Sequence, residues 1–256
     1  MKTIYNFIRK TFVITDFEIR KIAHDPTEIL LRAVQPALWL LIFGQVMART
    51  KVMPEENYLD FMSPGILAQS ILFVSIFYGI AIIWERDLGI TEKFLVTPTP
   101  RTALVLGKAI SAGIRCIPLM VIIYILASFL SVNIIWHFIN IIGVISLLFL
   151  GAILFSTFSL IIACLVKTRE RFMGIGQLMT MPLFFASNAI YPISIMPGWL
   201  KTMSHFNPLT YMIDGLRTLM IGTPSGFSLL IDYTVLLAVS TVLILIGGGL
   251  YKRVVT

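Results

Sequence analysis

Two cysteines and three histidines are all that the 256 residues offer to thiol or metal chemistry. Cys116 and Cys164 lie inside apolar runs, in no CxxC or other ligand spacing, and read as small buried thiols. His24, His137 and His205 are far apart in sequence and have no acidic cluster beside them, so no metal site is expected. Charge is also scarce. Only 13% of residues are Asp, Glu, Lys or Arg, against about a quarter in soluble domains. That supply cannot cover a sphere of this size, which excludes a soluble globular enzyme. A disordered chain and a disulfide framework are excluded on the same composition. A phosphate loop is missing as well. Gly107-Lys108-Ala109 has Thr102 where the first loop glycine belongs and Ala109 where Ser or Thr belongs. Gly247-Gly248-Gly249 closes an apolar run and suits close helix packing. No cofactor is therefore expected in this chain. With no His/Asp/Glu cluster and no nucleophile beside a base, no catalytic residue is assigned.

What is abundant is apolar surface: 57% of residues, with a mean hydropathy of +0.91. This is an all-α integral membrane protein in its composition, read as one transmembrane domain over 1–256. Six segments are long enough to span: about 29–48, 59–84, 103–130, 138–165, 172–190 and 229–251. Their flanks are unequal in positive charge. One set carries fifteen of the twenty Lys and Arg: Lys2, Arg9, Lys10, Arg20, Lys21, Arg32, Arg86, Lys93, Arg101, Lys108, Lys167, Arg169, Arg171, Lys252 and Arg253. The other set holds Arg49, Lys51, Lys201 and Arg217, and Arg115 falls inside the third span. Positive residues stay on the cytoplasmic side. Both termini are therefore expected in the cytoplasm of a multi-pass protein of the cell membrane. The net charge of +7 is absorbed by this bias. Nucleic acid is not an expected partner, since no basic stripe with interleaved aromatics appears.

Three stretches do not fit a plain span-and-loop pattern. Residues 1–25 carry Ile4, Ile8, Phe12, Ile19 and Ile22 on one helical face and Lys2, Arg9, Asp16 and Arg20 on another. The spacing predicts an amphipathic interface helix on the membrane surface. Residues 85–101 open with charges, carry Leu88, Ile90, Phe94 and Leu95, and stop at Pro98 and Pro100. That makes a short cytoplasmic helix whose apolar residues need a cover. Residues 188–217 are too proline-broken to span and too apolar for water, with Trp199, Leu200, Met203, Phe206, Tyr211 and Met212. Short re-entrant helices in the outer leaflet fit this stretch. Pro197 suits a first helical turn, and Trp199 and Tyr211 suit the interface.

Two motifs carry a resemblance. Glu85-Arg86-Asp87-x-Gly89, Glu92-x-Phe94-Leu95, Thr97-Pro98 and Gly107-Lys108 form one. Tyr191-Pro192, Met196-Pro197-x-Trp199-Leu200, Asn207-Pro208-Leu209-Thr210-Tyr211, Asp214 and Arg217 form the other. Together they resemble the type-2 ABC exporter permeases, and the daunorubicin-resistance-type drug exporters in particular, over about residues 12–250. The resemblance implies a permease paired with a second copy as a homodimer and bound to two copies of a separately encoded ABC ATPase, which holds ATP and Mg. The coupling helix would be residues 85–95, with Glu85, Arg86, Leu88, Glu92, Phe94 and Leu95, joined by Lys167, Arg169 and Arg171. An outer re-entrant gate would use Tyr191, Pro197, Trp199, Asn207, Pro208 and Tyr211. The second and fifth spans would line the substrate pathway, which assigns Gln69, Phe73, Phe77, Gln177, Met181, Phe184 and Asn188 to a hydrophobic substrate; a lipid-facing position or interhelical packing is the competing role for each.

Arg115 is read either as functional or as a shallow charge that snorkels or pairs with Glu85. Glu85 and Arg86 are read as a salt-bridged hinge or as an ordinary membrane-edge pair. The alternatives to drug export are a polysaccharide or lipid-linked glycan exporter, and, in another class, a secondary transporter or channel. No acidic residue lies deep in an apolar run, which argues against proton coupling.

Overall fold

The computed structural model describes residues 2–24, 27–50, 57–90, 100–166, 168–223 and 226–251. All regular structure among them is helical: α1 (Lys2–His24), α2 (Thr27–Leu38), a π-helical stretch (Trp39–Gly44), α3 (Gln45–Thr50), α4 (Tyr58–Phe77), α5 (Gly79–Asp87), α6 (Arg101–Phe129), α7 (Phe138–Leu165), α8 (Arg169–Phe185), a 3₁₀ turn (Ile193–Ile195), α9 (Gly198–Phe206), α10 (Pro208–Met220) and α11 (Leu229–Leu250).

Helix starts follow the local chemistry. Asn57 accepts the Leu59 N–H at 3.2 Å, Asn207 accepts the Leu209 N–H at 3.0 Å, and Ser228 and Thr168 cap α11 and α8. Pro208 is the first residue of α10, where a missing N–H costs nothing. Pro197, expected inside the first turn of α9, is instead its cap, with Gly198 the first helical residue. Gly89 closes α5 with φ +68, the left-handed geometry glycine adopts without strain. Pro36 lies inside α2, and the wide π turns begin three residues later.

Five stretches are long and apolar enough to cross a bilayer: Leu30–Arg49, Tyr58–Asp87, Arg101–Phe129, Phe138–Leu165 and Leu229–Leu250. The run expected as a further span, 172–190, is helical only to Phe185. At 17 residues α8 is about 25 Å long. The chain from its start to Ile190 still runs the length of the bundle. Arg169 at its start bonds Asp87 at 2.8 Å. Just past its end the Ile190 carbonyl accepts the Tyr58 hydroxyl at 2.9 Å. Asp87 and Tyr58 are opposite ends of the α4–α5 rod.

The same contacts sort every element by end. The end of α5, the start of α6, the end of α7 and the start of α8 meet at one end, where Ile14, Ile83, Val105, Val166, Phe172 and Tyr251 share a cluster. Helix α1 and the last turn of α11 reach that end too, so the two ends of the described chain share it. At the other end α10 is buried in the main core, with Leu209, Met212, Ile213 and Leu216 fully enclosed among α4 and α7 residues such as Met62, Leu147 and Leu148. Of the stretch expected as shallow re-entrant helices, α9 leaves Trp199, Met203 and Phe206 exposed, whereas α10 is a core element.

In lipid, association depends on close packing more than on apolar burial, so small residues sit at contacts. Gly65 shows this. A Cβ there would come within 2.5 Å of the Ala189 carbonyl oxygen, so backbone lies directly against backbone.

Candidate functional site

An open groove of about 510 Å³ lies between α2, α4 and α8. Phe73 and Phe77 line it with centroids 6.1 Å apart. Gln69 and Gln177 join them, as do Arg32 and Gln35 from α2. Gln69 is 3% exposed and its Oε1 has no hydrogen-bond partner among the described residues. Four of the residues assigned to a substrate pathway therefore share one surface. The other three do not. Phe184 is buried against Trp39, edge to face at 6.0 Å. Met181 is exposed, and Asn188 lies beyond the helix end, buried, with its carbonyl accepting from Arg217. Steps of four, three and four residues would put Gln177, Met181, Phe184 and Asn188 on one face of a continuous helix, but α8 ends at Phe185. What changes is the cover: the groove opens over Gln177, and Trp39 closes over Phe184.

Behind the groove, at the end shared by α1, α5 and α6, lies a buried ion cluster. Lys108 of α6, 2% exposed, donates to Glu18 of α1 at 3.2 Å and to Glu85 of α5. Arg115, one and a half to two turns on, places a guanidinium nitrogen 3.8 Å from the other Glu18 oxygen and stacks on Tyr78 at 4.9 Å. The Tyr78 hydroxyl meets Ser111 at 3.1 Å. One lysine thus binds together three elements that are distant in sequence. Thr15 adds a hydrogen bond to the Gly107 carbonyl at 3.1 Å. So α1 docks on α6 through Thr11, Ile14, Thr15 and Glu18, while Ile8, Phe12, Val13 and Phe17 stay exposed. It is a docked helix with an apolar outer surface, rather than one lying on the membrane alone. The pairing expected between Arg115 and Glu85 is replaced by Arg115 with Glu18 and Glu85 with Lys108.

The assigned coupling residues surround this end. Glu85 is 4% exposed and faces inward. Arg86 donates to the Val166 carbonyl at 3.2 Å and contacts Asp87 at 3.4 Å. Arg169 bonds Asp87 and lies 3.6 Å over the Trp84 ring. Leu88 and Arg171 are exposed. Glu92, Phe94, Leu95 and Lys167 lie outside the described residues.

At the opposite end, polar side chains hold broken backbone. The Leu183, Phe185, Ala186, Asn188 and Ile190 carbonyls accept from Asn207, Tyr191, Asn207, Arg217 and Tyr58. Arg217 also reaches the Phe61 carbonyl at 3.2 Å. Among the residues assigned to an outer gate, Asn207 and Tyr191 do this work, Tyr211 donates to the His205 carbonyl at 2.7 Å, and Pro208 starts α10. Trp199 is exposed on α9. Beside it, an apolar cleft of about 340 Å³ is lined by Met179, Leu183, Met203 and Phe206. Asp214 accepts the Gly226 and Phe227 N–H groups at 3.2 and 2.8 Å. Asp232, fully buried, has neither carboxylate oxygen hydrogen-bonded among the described residues.

Sequence reasoning passed over Glu18, Tyr78 and Asp232, and placed Lys108 in a motif without a partner. Four acidic side chains, Glu18, Glu85, Asp214 and Asp232, are buried although none is deep in an apolar run. The available signal was Thr11-x₃-Thr15-x₂-Glu18, a polar stripe on an otherwise apolar helix.

The sequence profile described as ABC-2 type transporter matches residues 9–221. The transport permease ycf38 of Cyanophora paradoxa is 29% identical over 221 residues, covering 85% of this chain and 76% of that protein. The daunorubicin resistance ABC transporter permease protein DrrB1 of Streptomyces coeruleorubidus is 24% identical over 230 residues, covering 90% and 80%. The inner membrane transport permease YadH of Escherichia coli K12 is 25% identical over 194 residues, covering 72% of each chain.

Proposed function

The chain belongs to the ABC-2 type transporter family and is a multi-pass transport permease, and from that premise we propose that it is the membrane subunit of an ATP-driven exporter of a hydrophobic, drug-like or lipid-like molecule. The observation that carries this reading is the groove. Glutamine amides gathered against two phenylalanine rings inside an apolar bundle are costly toward lipid and useful toward an amphipathic ligand. The relative named for daunorubicin resistance supports a small-molecule cargo.

In this reading α8 is the fifth of six spans, short but end to end, and both termini lie in the cytoplasm with the Lys108 end. Two permeases pair, and each docks a separate ATPase through residues 85–95, with Arg169, Arg171 and Lys167 beside them. ATP and Mg belong to that partner. Glu85 acts from inside as a positioning residue: through Lys108 it ties the base of the docking loop to α1 and α6. Movement of the loop then reaches the groove through α4 and α5, which form one 30-residue rod. Tyr191, Pro197, Trp199, Asn207, Pro208 and Tyr211 hold the outer exit.

Phe94→Asp tests the docking. The variant is expected to reach the membrane in normal amount and lose most of the ATPase that co-purifies with the wild type. Undiminished co-purification removes residues 85–95 from the interface.

A further inference from the structure

We propose that the groove between α2, α4 and α8 selects molecules whose apolar body carries a hydroxyl or an amide N–H, and that Gln69 is the residue that reads this donor. The inference rests on the reading of the groove as the transport path and names the class of molecule it takes. The volume, about 510 Å³, suits one drug-sized body or one folded acyl chain. Phe73, Phe77 and Val74 offer that body an apolar wall. Gln69, Phe73 and Phe77 recur every four residues on α4, so the amide and the two rings share one face.

Two buried polar side chains line the groove, and they differ. Ser70 is satisfied: its hydroxyl donates to the Ile66 carbonyl at 2.7 Å. Gln69 is 3% exposed, and its Oε1 is closed off with no donor among the described residues. A buried acceptor left empty is costly. The Gln69 amide makes no hydrogen bond among the described residues, so turning it toward the groove breaks none. A ligand O–H or N–H in the groove then meets the oxygen and relieves the cost. A hydrocarbon body cannot. A site that holds a hydrogen-bonding group for its ligand rejects the analogue lacking the donor, because the site's own polar group stays unpaired.

The other polar groups of the groove contribute less. Gln35 and Gln177 are exposed on its walls; they can be met without a ligand and so add little selectivity. Arg32 has an interaction of its own, and this recognition does not require it. Lipid alcohols, lipid amides and hydroxylated ring systems share the donor chemistry that Gln69 asks for.

The test uses the full-length chain in nanodiscs and photoreactive probes of two bodies, a twelve-carbon chain and a fused aromatic ring system. Each body carries either a hydroxyl or a fluorine at the same carbon. The two substituents are similar in size, and only the hydroxyl can donate. Labelled peptides are read by mass spectrometry. The readout is the ratio of hydroxyl to fluorine labelling in one preparation, which a loss of folded protein does not move. The hydroxyl form of at least one body is expected to label the peptide containing Phe73 and Phe77 on the order of tenfold more than its fluorine twin, the discrimination that one hydrogen bond to an otherwise unpaired buried group supplies. Which body labels better separates a lipid source from an aromatic one. Gln69→Leu is expected to bring the ratio close to parity, and Gln177→Leu to leave most of it. A ratio that survives Gln69→Leu overturns the role of Gln69. Equal labelling by both forms in the wild type overturns the donor requirement and leaves the groove standing. Labelling confined to other surfaces by every probe overturns the groove as the path.

Discussion

The two ends of the bundle solve the same problem in different ways. Each must keep buried polar groups satisfied where water is scarce. At the α1 end, side chains satisfy side chains: Lys108 holds Glu18 and Glu85, and Arg115 sits beside Glu18. At the α10 end, side chains satisfy backbone: Arg217, Asn207, Tyr58 and Tyr191 cover carbonyls released where α8 stops. The second arrangement fixes an irregular chain path and has few other ways to pair. The first joins three separate elements through charges that can exchange partners. An end that moves and an end that holds would be built like this, the first suited to the docking proposed there and the second to the proposed exit.

The largest expected effect comes from breaking the ion cluster. Lys108→Met removes the buried cation that Glu18 and Glu85 share and is expected to cost about 3–5 kcal/mol. Thermal unfolding in detergent reads it, and adding Glu18→Gln and Glu85→Gln should restore most of the loss. If the single variant melts like the wild type, the cluster is not what joins α1 to the bundle. Arg217→Leu attacks the other end. Losing charged hydrogen bonds to the Phe61 and Asn188 carbonyls is expected to cost about 2–3 kcal/mol, and proteolysis should begin near residues 186–192. Cleavage confined to residues outside that stretch contradicts the bracing role. Asn207→Ala removes a cap and two carbonyl contacts and is expected to cost about 1–2 kcal/mol; a loss equal to that of Lys108→Met would erase the contrast between the ends. The smallest effect is Asp87→Ala. Its pair with Arg169 is more than a third exposed on the aspartate side, so the expected loss is under about 1 kcal/mol, with a larger one meaning that the pair is shielded in the membrane.

Much of this could be read from the chain. The apolar runs located the helices, because a bilayer sets their length, and Pro197 and Asn207-Pro208 marked the short helices near the exit. The groove was half legible: Gln69, Phe73, Phe77 and Gln177 stood out as polar and aromatic residues at helical spacing. Arg32 and Gln35 did not, because nothing in sequence says that α2 lies across α4. The docking of α1 was misjudged for a similar reason. Its apolar residues were assigned to the membrane surface, and the contact with the bundle is made by Thr11, Ile14, Thr15 and Glu18, with Glu18 meeting a lysine 90 positions away. Periodicity reports which residues share a face and is silent on what that face meets. The end of α8 at Phe185, short of 190, depends on carbonyls being met by Arg217 and Asn207, again from distant sequence.

The π-helical stretch at Trp39–Gly44 has one more consequence. A π turn closes over one residue more than an α turn, so the segment Leu30–Arg49 carries a spare link. Deleting one residue between Trp39 and Gly44 lets the ladder close as an ordinary helix and keeps Arg32 and Gln35 in phase with the residues that follow. Deleting one residue on either side of it instead turns one half about 100° against the other and rotates Arg32 and Gln35 away from the groove. The helix thus has a single place where its length can change without its orientation changing.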